Sequence, residues 1–363
     1  MVPRGAGWGF RSVAFLLGLV VALAMGESFV RLWAPQSVGS FDGGLLRGPL
    51  TTPGDHPLRS VEYAVSVHVN AAGFVDHEWG AAGARREIVV LGDSFVQAAQ
   101  VARGEGFGAQ LQGGLRAQGT DVDVLSMGVP GAGTATALGV LREYALPRNP
   151  ALVVLGFLVS NDVLNNHPLL EGKDDKPFYT LHDGALVPVV AMDLVVPSSV
   201  WRWSAAWRWY TRSAASRAVA DRKLTLGQGV PLDLRVHDPA CVNGGGTAPT
   251  CSTWDEAWAV TDALIAEMAR ACGEIPFVVV LFPDRTQVER RSDWPAARAW
   301  DFDAAQARAA AIAGKHAPVL DLLPGLRAEG GDLYLRKDGH WTARGHAAAA
   351  RLTVPFVAGR VGE

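Results

Sequence analysis

The stretch IVVLGDSF at residues 88–95 decides how this chain is read. Residues 88–91 are apolar and mostly β-branched, the length and composition of a strand buried on both faces. Gly92 and Asp93 then break the run with turn chemistry, so Ser94 stands on a strand-to-helix turn with its hydroxyl on the loop side. The same signature returns downstream. Apolar runs at 122–125, 152–157 and 277–282 alternate with helical patterns at 107–118, 134–144, 254–272, 301–316 and 342–356. This alternation implies a parallel sheet, and strands apolar on both faces need helices on both sides. The expectation is an α/β fold, a three-layer α/β/α sandwich around a mostly parallel sheet. Catalytic loops of such a sheet emerge at the carboxyl ends of its strands.

Composition narrows the classes around that core. At about 150 residues per domain, the 363 residues make one large or two modest domains. Hydrophobic residues at 49% and charged residues at 19% exclude a disordered or fibrous chain. A net charge of -3 gives no bulk positive field for a phosphate backbone, so no nucleic-acid partner is expected. Three cysteines without a C-x-x-C or Cys/His spacing exclude a disulfide scaffold and a structural zinc site. No metal is expected, and no cofactor either. Gly104/Gly106 and Gly131/Gly133 do not complete a dinucleotide fingerprint, and Val96 stands where a G-x-S-x-G elbow needs its second glycine.

Arg4 and Arg11 precede fifteen uncharged residues, SVAFLLGLVVALAMG at 12–26, which read as an export segment. As a helix those fifteen cover roughly 22 Å, short of the roughly 30 Å hydrocarbon core, so either a cleaved signal or a retained anchor fits. Both readings put the remaining chain outside the cytoplasm, held to the membrane by one helix if the anchor stays. Residues 27–84 form a Gly- and Pro-rich preface in which VEYAVSVHVN at 61–70 reads as an edge strand or hairpin. Residues 85–363 carry the α/β domain, interrupted by an insertion at about 166–253 that contains WRWSAAWRWYTR at 201–212. Those tryptophans and arginines suit a glycan, a membrane interface, or an amphipathic helix packed on the core. Cys241 and Cys251 flank a Gly-rich segment that an oxidising compartment would allow to close; Cys272 reads as a small buried hydrophobe.

Three strand ends and the last helical pattern offer matching chemistry. Ser94 needs a base held in one tautomer by a carboxylate, and Asp338-Gly339-His340-Trp341 offers both groups near the chain end. Gly128, after the second strand, lets backbone N–H approach a reacting carbonyl, and Asn161, after the third, carries a side-chain amide. A hydroxyl, an N–H and an amide are what a tetrahedral oxyanion requires. Asp93 and Asp162 read as acids that cap loop amides rather than as metal ligands.

In this order the four blocks resemble the SGNH, or GDSL, hydrolases over about residues 86–356. The resemblance implies a flavodoxin-like sheet with Ser94 as nucleophile and first oxyanion donor, Gly128 and Asn161 as further donors, His340 as base and Asp338 as its orienting acid. The VHVNAAGF segment resembles one that precedes the catalytic domain in membrane-anchored bacterial members. Two positions depart from the pattern. Val159 replaces the glycine before Asn161, and Lys337 occupies the usual acid position. The Asp-x-His-Trp spacing is instead similar to SGNH-like proteins that O-acetylate bacterial exopolysaccharides. Asp332 and Asp321 are reserve acids, and His346 reads as a structural histidine.

The resulting expectation is an exported serine esterase or acyltransferase whose substrate is an acylated carbohydrate of the cell envelope, O-acetyl esters included, or another small ester. Two rivals accompany it. The departures at Val159 and Lys337 suit a catalytically idle glycan-binding or scaffold protein on the same fold, and the apolar helix with the tryptophan-rich insertion suits a membrane-lipid esterase.

Overall fold

The computed structural model describes residues 6–33, 51–171, 176–189, 236–238, 241, 249–290 and 300–361. The tryptophan-rich stretch at 201–212 lies outside them.

An N-terminal helix α1, Ala6–Trp33, leads the chain. It is longer than the uncharged run, because Arg11, Glu27 and Arg31 do not stop helix propagation; they only forbid burial of their own charges. Its 18-residue window Ser12–Phe29 has mean hydropathy 1.9 and none of it is buried against the rest of the protein. Length and composition alone would let it cross a membrane, as either a signal or an anchor. The fifteen uncharged residues lie within these 28 helical residues, which extend about 42 Å at 1.5 Å each.

The preface contains an antiparallel hairpin, β1 (Gly54–Arg59) with β2 (Ala64–Val69). The central sheet follows: β3 (Glu87–Gly92), β4 (Asp123–Gly128), β5 (Leu152–Leu158), then β8 (Phe277–Phe282) and β9 (Val319–Asp321), with a small β6–β7 hairpin (Phe178–His182 and Ala185–Val189) between. The central order is β4-β3-β5-β8-β9, every pairing parallel. β9 has only three residues and lay below what the apolar runs could signal.

Alternation along the strands splits the core into two layers. Val89, Leu91, Leu125, Met127, Val153, Leu155 and Val279 face one way, onto α4 (Thr134–Val140), α5 (Val159–Asn165) and the helices Pro249–Cys272 and Ala304–Ala313. Ile88, Val90, Val124, Val154, Val278 and Val280 face the other, onto α2 (Ser94–Gln97), α3 (Phe107–Ala117) and the last helix Ala343–Val361. This is the three-layer α/β/α architecture, and burying each such side chain contributes about 1.5–3 kcal/mol. The order also fixes where a site can form. From β3 the chain steps outward to β4 and then crosses to β5 on the opposite side, so the crevice at this reversal lies beside the carboxyl ends of β3 and β5.

Candidate active site

Ser94 and Asn161 flank that crevice. β3 ends at Gly92, Asp93 caps α2 by accepting the Phe95 N–H at 2.9 Å, and Ser94 opens the helix. β5 passes directly into α5, where Asp162 Oδ2 accepts the Leu158 N–H at 3.1 Å. Asp93 and Asp162 thus cap loop amides. Asp93 does more: its Oδ2 accepts one hydrogen of the Asn161 amide at 3.0 Å, leaving the other hydrogen of that NH2 group for a ligand. Burial raises the Asp93 carboxyl above the usual carboxylate range, opposed by Phe95 N–H, the Asn161 amide and the nearby His340. Asp162 is raised well above that range by burial and then by the Asp93 charge. Two buried carboxylates side by side favour keeping one of them protonated.

An imidazole arrives from the far end of the chain. Ser94 Oγ–H donates to His340 Nε2 at 2.6 Å, and His340 Nδ1–H donates to Asp338 Oδ1 at 2.5 Å. Asp338 Oδ1 also accepts the His340 backbone N–H at 3.3 Å. Because Nδ1 faces a carboxylate, Nε2 is left as the proton acceptor. The imidazole and the carboxylate are about three-quarters covered, with side-chain exposures of 23% and 25%.

A tight loop holds this pair. Leu335 N–H bonds His340 O at 2.8 Å, Gly339 N–H bonds Leu335 O at 3.0 Å, and Tyr334 bridges Trp341. Gly339 has φ 86°, a left-handed turn that a side chain would strain. Trp341 is fully buried, edge-on to Phe95 at 5.0 Å and tilted against Phe282 at 4.8 Å. Trp341, next to His340, is therefore wedged under Phe95, next to Ser94, tying the two segments together through one aromatic cluster.

Gly128 closes β4 beneath α2, where an added Cβ would lie 2.1 Å from Gln97 N and 2.7 Å from Gln97 Cα. Gly92 and Gly156 are similarly crowded by Val96, so glycines on three neighbouring strands seat α2 on the sheet. Asp123 and Val129 donate their N–H groups toward β3, whereas Val124 and Ser126 donate away from it, to Gln112 and Asp76. Gly128 shares the parity of the second set. The reserve acids are engaged elsewhere: Asp321 Oδ1 accepts from Gln306 and the Leu323 N–H, and Asp332 pairs with Arg336 at 3.6 Å. Among the described residues no cluster of three or more His, Cys, Asp or Glu is arranged to hold a metal.

His346 is buried against Trp341, ring centroids 5.4 Å apart, with no hydrogen bond to either nitrogen. Burial, with a smaller effect of His340, lowers its pKa to about 3. The unfolded chain takes up this proton near pH 6.5 while the folded chain refuses it, so stability is lost as pH falls from 6.5 toward 3, by about 1.4 kcal/mol per unit. His346→Leu is expected to move the acid unfolding midpoint to lower pH, followed by tryptophan fluorescence; an unchanged midpoint would show that His346 is protonated in the fold.

Residues 254–360 match a family described as "SGNH hydrolase-like domain, acetyltransferase AlgX". That segment is similar to an SGNH hydrolase-like domain. The matched segment includes Asp338 and His340 and stops short of Ser94. No curated protein sequence matches the chain. Among solved structures it is similar to a lipase/acylhydrolase from Enterococcus faecalis, with 16% identity, 76% of this chain and 96% of that chain covered, and TM-score 0.41. It is also similar to Axe2, an acetylxylan esterase from Geobacillus stearothermophilus, with 15% identity, 78% and 97% covered, and TM-score 0.41. The match supports an ester hydrolase or acyltransferase.

Proposed function

We propose that this SGNH hydrolase-like domain is a serine esterase or acyltransferase in which Ser94 is the nucleophile, His340 the general base and Asp338 the acid that orients it. The observation that carries the reading is the unbroken hydrogen-bonded run from Asp338 through His340 to Ser94. Ser94 Oγ attacks an ester carbonyl as its proton passes to His340 Nε2, and Asp338 stabilises the imidazolium. Ser94 N–H and the free hydrogen of Asn161 Nδ2 receive the oxyanion, with a further donor expected from the turn that begins at Gly128. Collapse expels the alcohol, which takes the proton from His340 and leaves an acyl-serine. Water, or a sugar hydroxyl, then attacks the acyl carbon while His340 removes its proton, and Ser94 is released.

The acyl group is proposed to be acetyl on a cell-envelope glycan; the support is the acetyltransferase description of the matched family. An extracytoplasmic location, at the membrane if α1 is retained, is supported by the unburied apolar helix and by the disulfide between Cys241 and Cys251. The reading is tested by labelling with a fluorophosphonate and mapping the adduct by mass spectrometry. A single adduct on Ser94 is expected, and an unlabelled Ser94 would overturn the mechanism.

A further inference from the structure

The loop carrying Asp338 and His340 is not held by its own domain alone. The tip of the β1–β2 hairpin reaches it from the preface. Ser60 N–H bonds Tyr63 O at 2.8 Å, and Ser60 Oγ accepts the N–H groups of Glu62 at 3.0 Å and Tyr63 at 3.3 Å. This turn aims the Glu62 carboxylate at the loop. Glu62 Oε1 and Oε2 both accept the Lys337 N–H at 3.0 Å, and Oε2 accepts the Asp338 N–H at 2.8 Å. Two adjacent amides of a tight turn, unable to bond within it, are thus gathered by one carboxylate placed 276 positions earlier than Asp338.

The hairpin is fixed at its base, so its tip is a rigid arm rather than a chance contact. Val67 and Val69 are buried, Phe74 enters the core, and Asp76 Oδ2 accepts the Ser126 N–H at 2.8 Å and the Trp79 indole N–H at 2.8 Å. Asn70 Oδ1 accepts the Phe74 N–H at 3.0 Å, closing the turn that returns the chain to the body.

We infer that Glu62 is a positioning residue for the Asp338–His340 pair, making the N-terminal hairpin a working part of the active site. The inference rests on the proposed serine mechanism. Glu62 touches no reacting atom: it fixes the backbone from which Asp338 reaches Nδ1, and through it the 2.6 Å approach of Nε2 to Ser94 Oγ. Loss of that fixation acts on turnover, because a displacement on the order of 1 Å costs up to about 10^2-fold.

The test compares Glu62→Ala and Glu62→Gln in the full chain. Glu62→Ala is expected to lower kcat and the rate of Ser94 fluorophosphonate labelling about 10- to 100-fold with little change in KM. A weaker carboxylate contact stabilises the imidazolium less, so the acid limb of the rate profile moves to lower pH. Glu62→Gln, which retains an acceptor oxygen, is expected to recover part of the loss. The downfield proton resonance of His340 Nδ1 hydrogen-bonded to Asp338 should broaden or shift in Glu62→Ala and persist in Ser94→Ala. A Glu62→Ala chain with the original labelling rate, acid limb and resonance overturns the inference. So does one whose activity falls while limb and resonance stay put, since that marks general destabilisation. If the unsubstituted chain fails to label, the serine mechanism falls instead, and the resonance still decides the role of Glu62.

Discussion

Replacing Ser94 with alanine is expected to lower turnover of an acetyl ester, p-nitrophenyl acetate in the simplest assay, by about 10^4-fold or more. His340→Ala should do the same. Their combination should be barely worse than either alone, because the hydroxyl and the imidazole act as a unit: without the base the serine is an ordinary alcohol, and without the serine the base has no proton to take. The 2.6 Å contact joins groups on α2 and on the Leu335–His340 loop. Protein stability should be little altered, since Ser94 and His340 are only partly buried. Additive losses in the double variant, measured as kcat/KM, would mean that the two groups serve separate steps. Near-normal activity in Ser94→Ala would remove the covalent mechanism.

Asp338→Asn should cost nearly as much, about 10^4-fold. The carboxylate accepts from His340 Nδ1 and so leaves Nε2 as the acceptor facing Ser94; an amide can present its NH2 group to Nδ1, moving the ring proton to Nε2. The imidazole then points a hydrogen at the serine and cannot take its proton. Neither reserve acid is free to substitute. Asp321 is bound to Gln306 and Leu323, and Asp332 to Arg336. The size of the effect therefore separates this acid from the alternatives that the Lys337 departure raised: a loss below about tenfold would show that Asp338 is not the orienting group. Asp332→Asn is the companion measurement, with unchanged activity expected.

Much of this was legible before any coordinates. The 88–95 stretch gives its strand because four apolar residues must be buried on both faces, and its turn because Gly92 and Asp93 end the run. The meeting of Ser94 with His340 was legible as chemistry, since a serine nucleophile needs a base within hydrogen-bond reach. What stayed hidden depends on contacts distant in sequence. Nothing near Glu62 announces that its carboxylate binds amides at Lys337 and Asp338, because the signal lies in the geometry of a hairpin, not in its composition. Asp93 was read as a local cap, and it also restrains the Asn161 amide across two strands. Gly128 was read for its N–H; the crowding by Gln97 gives an independent reason for glycine there. The helix α1 outran the uncharged segment because apolar run length measures burial in lipid, whereas helix length measures backbone propagation.

The distance along the chain between nucleophile and base has a consequence for the making of the protein. Synthesis proceeds from the amino end, so Ser94 is complete 246 residues before His340 exists. The imidazole loop runs straight into the helix Ala343–Val361, whose Val354 closes on Gly114 of α3. Until that last part of the chain is made, Ser94 has no imidazole beside it. On the proposed mechanism, a chain that stops before His340 lacks the imidazole that Ser94 needs, so acyl chemistry waits for the last-made part of the domain.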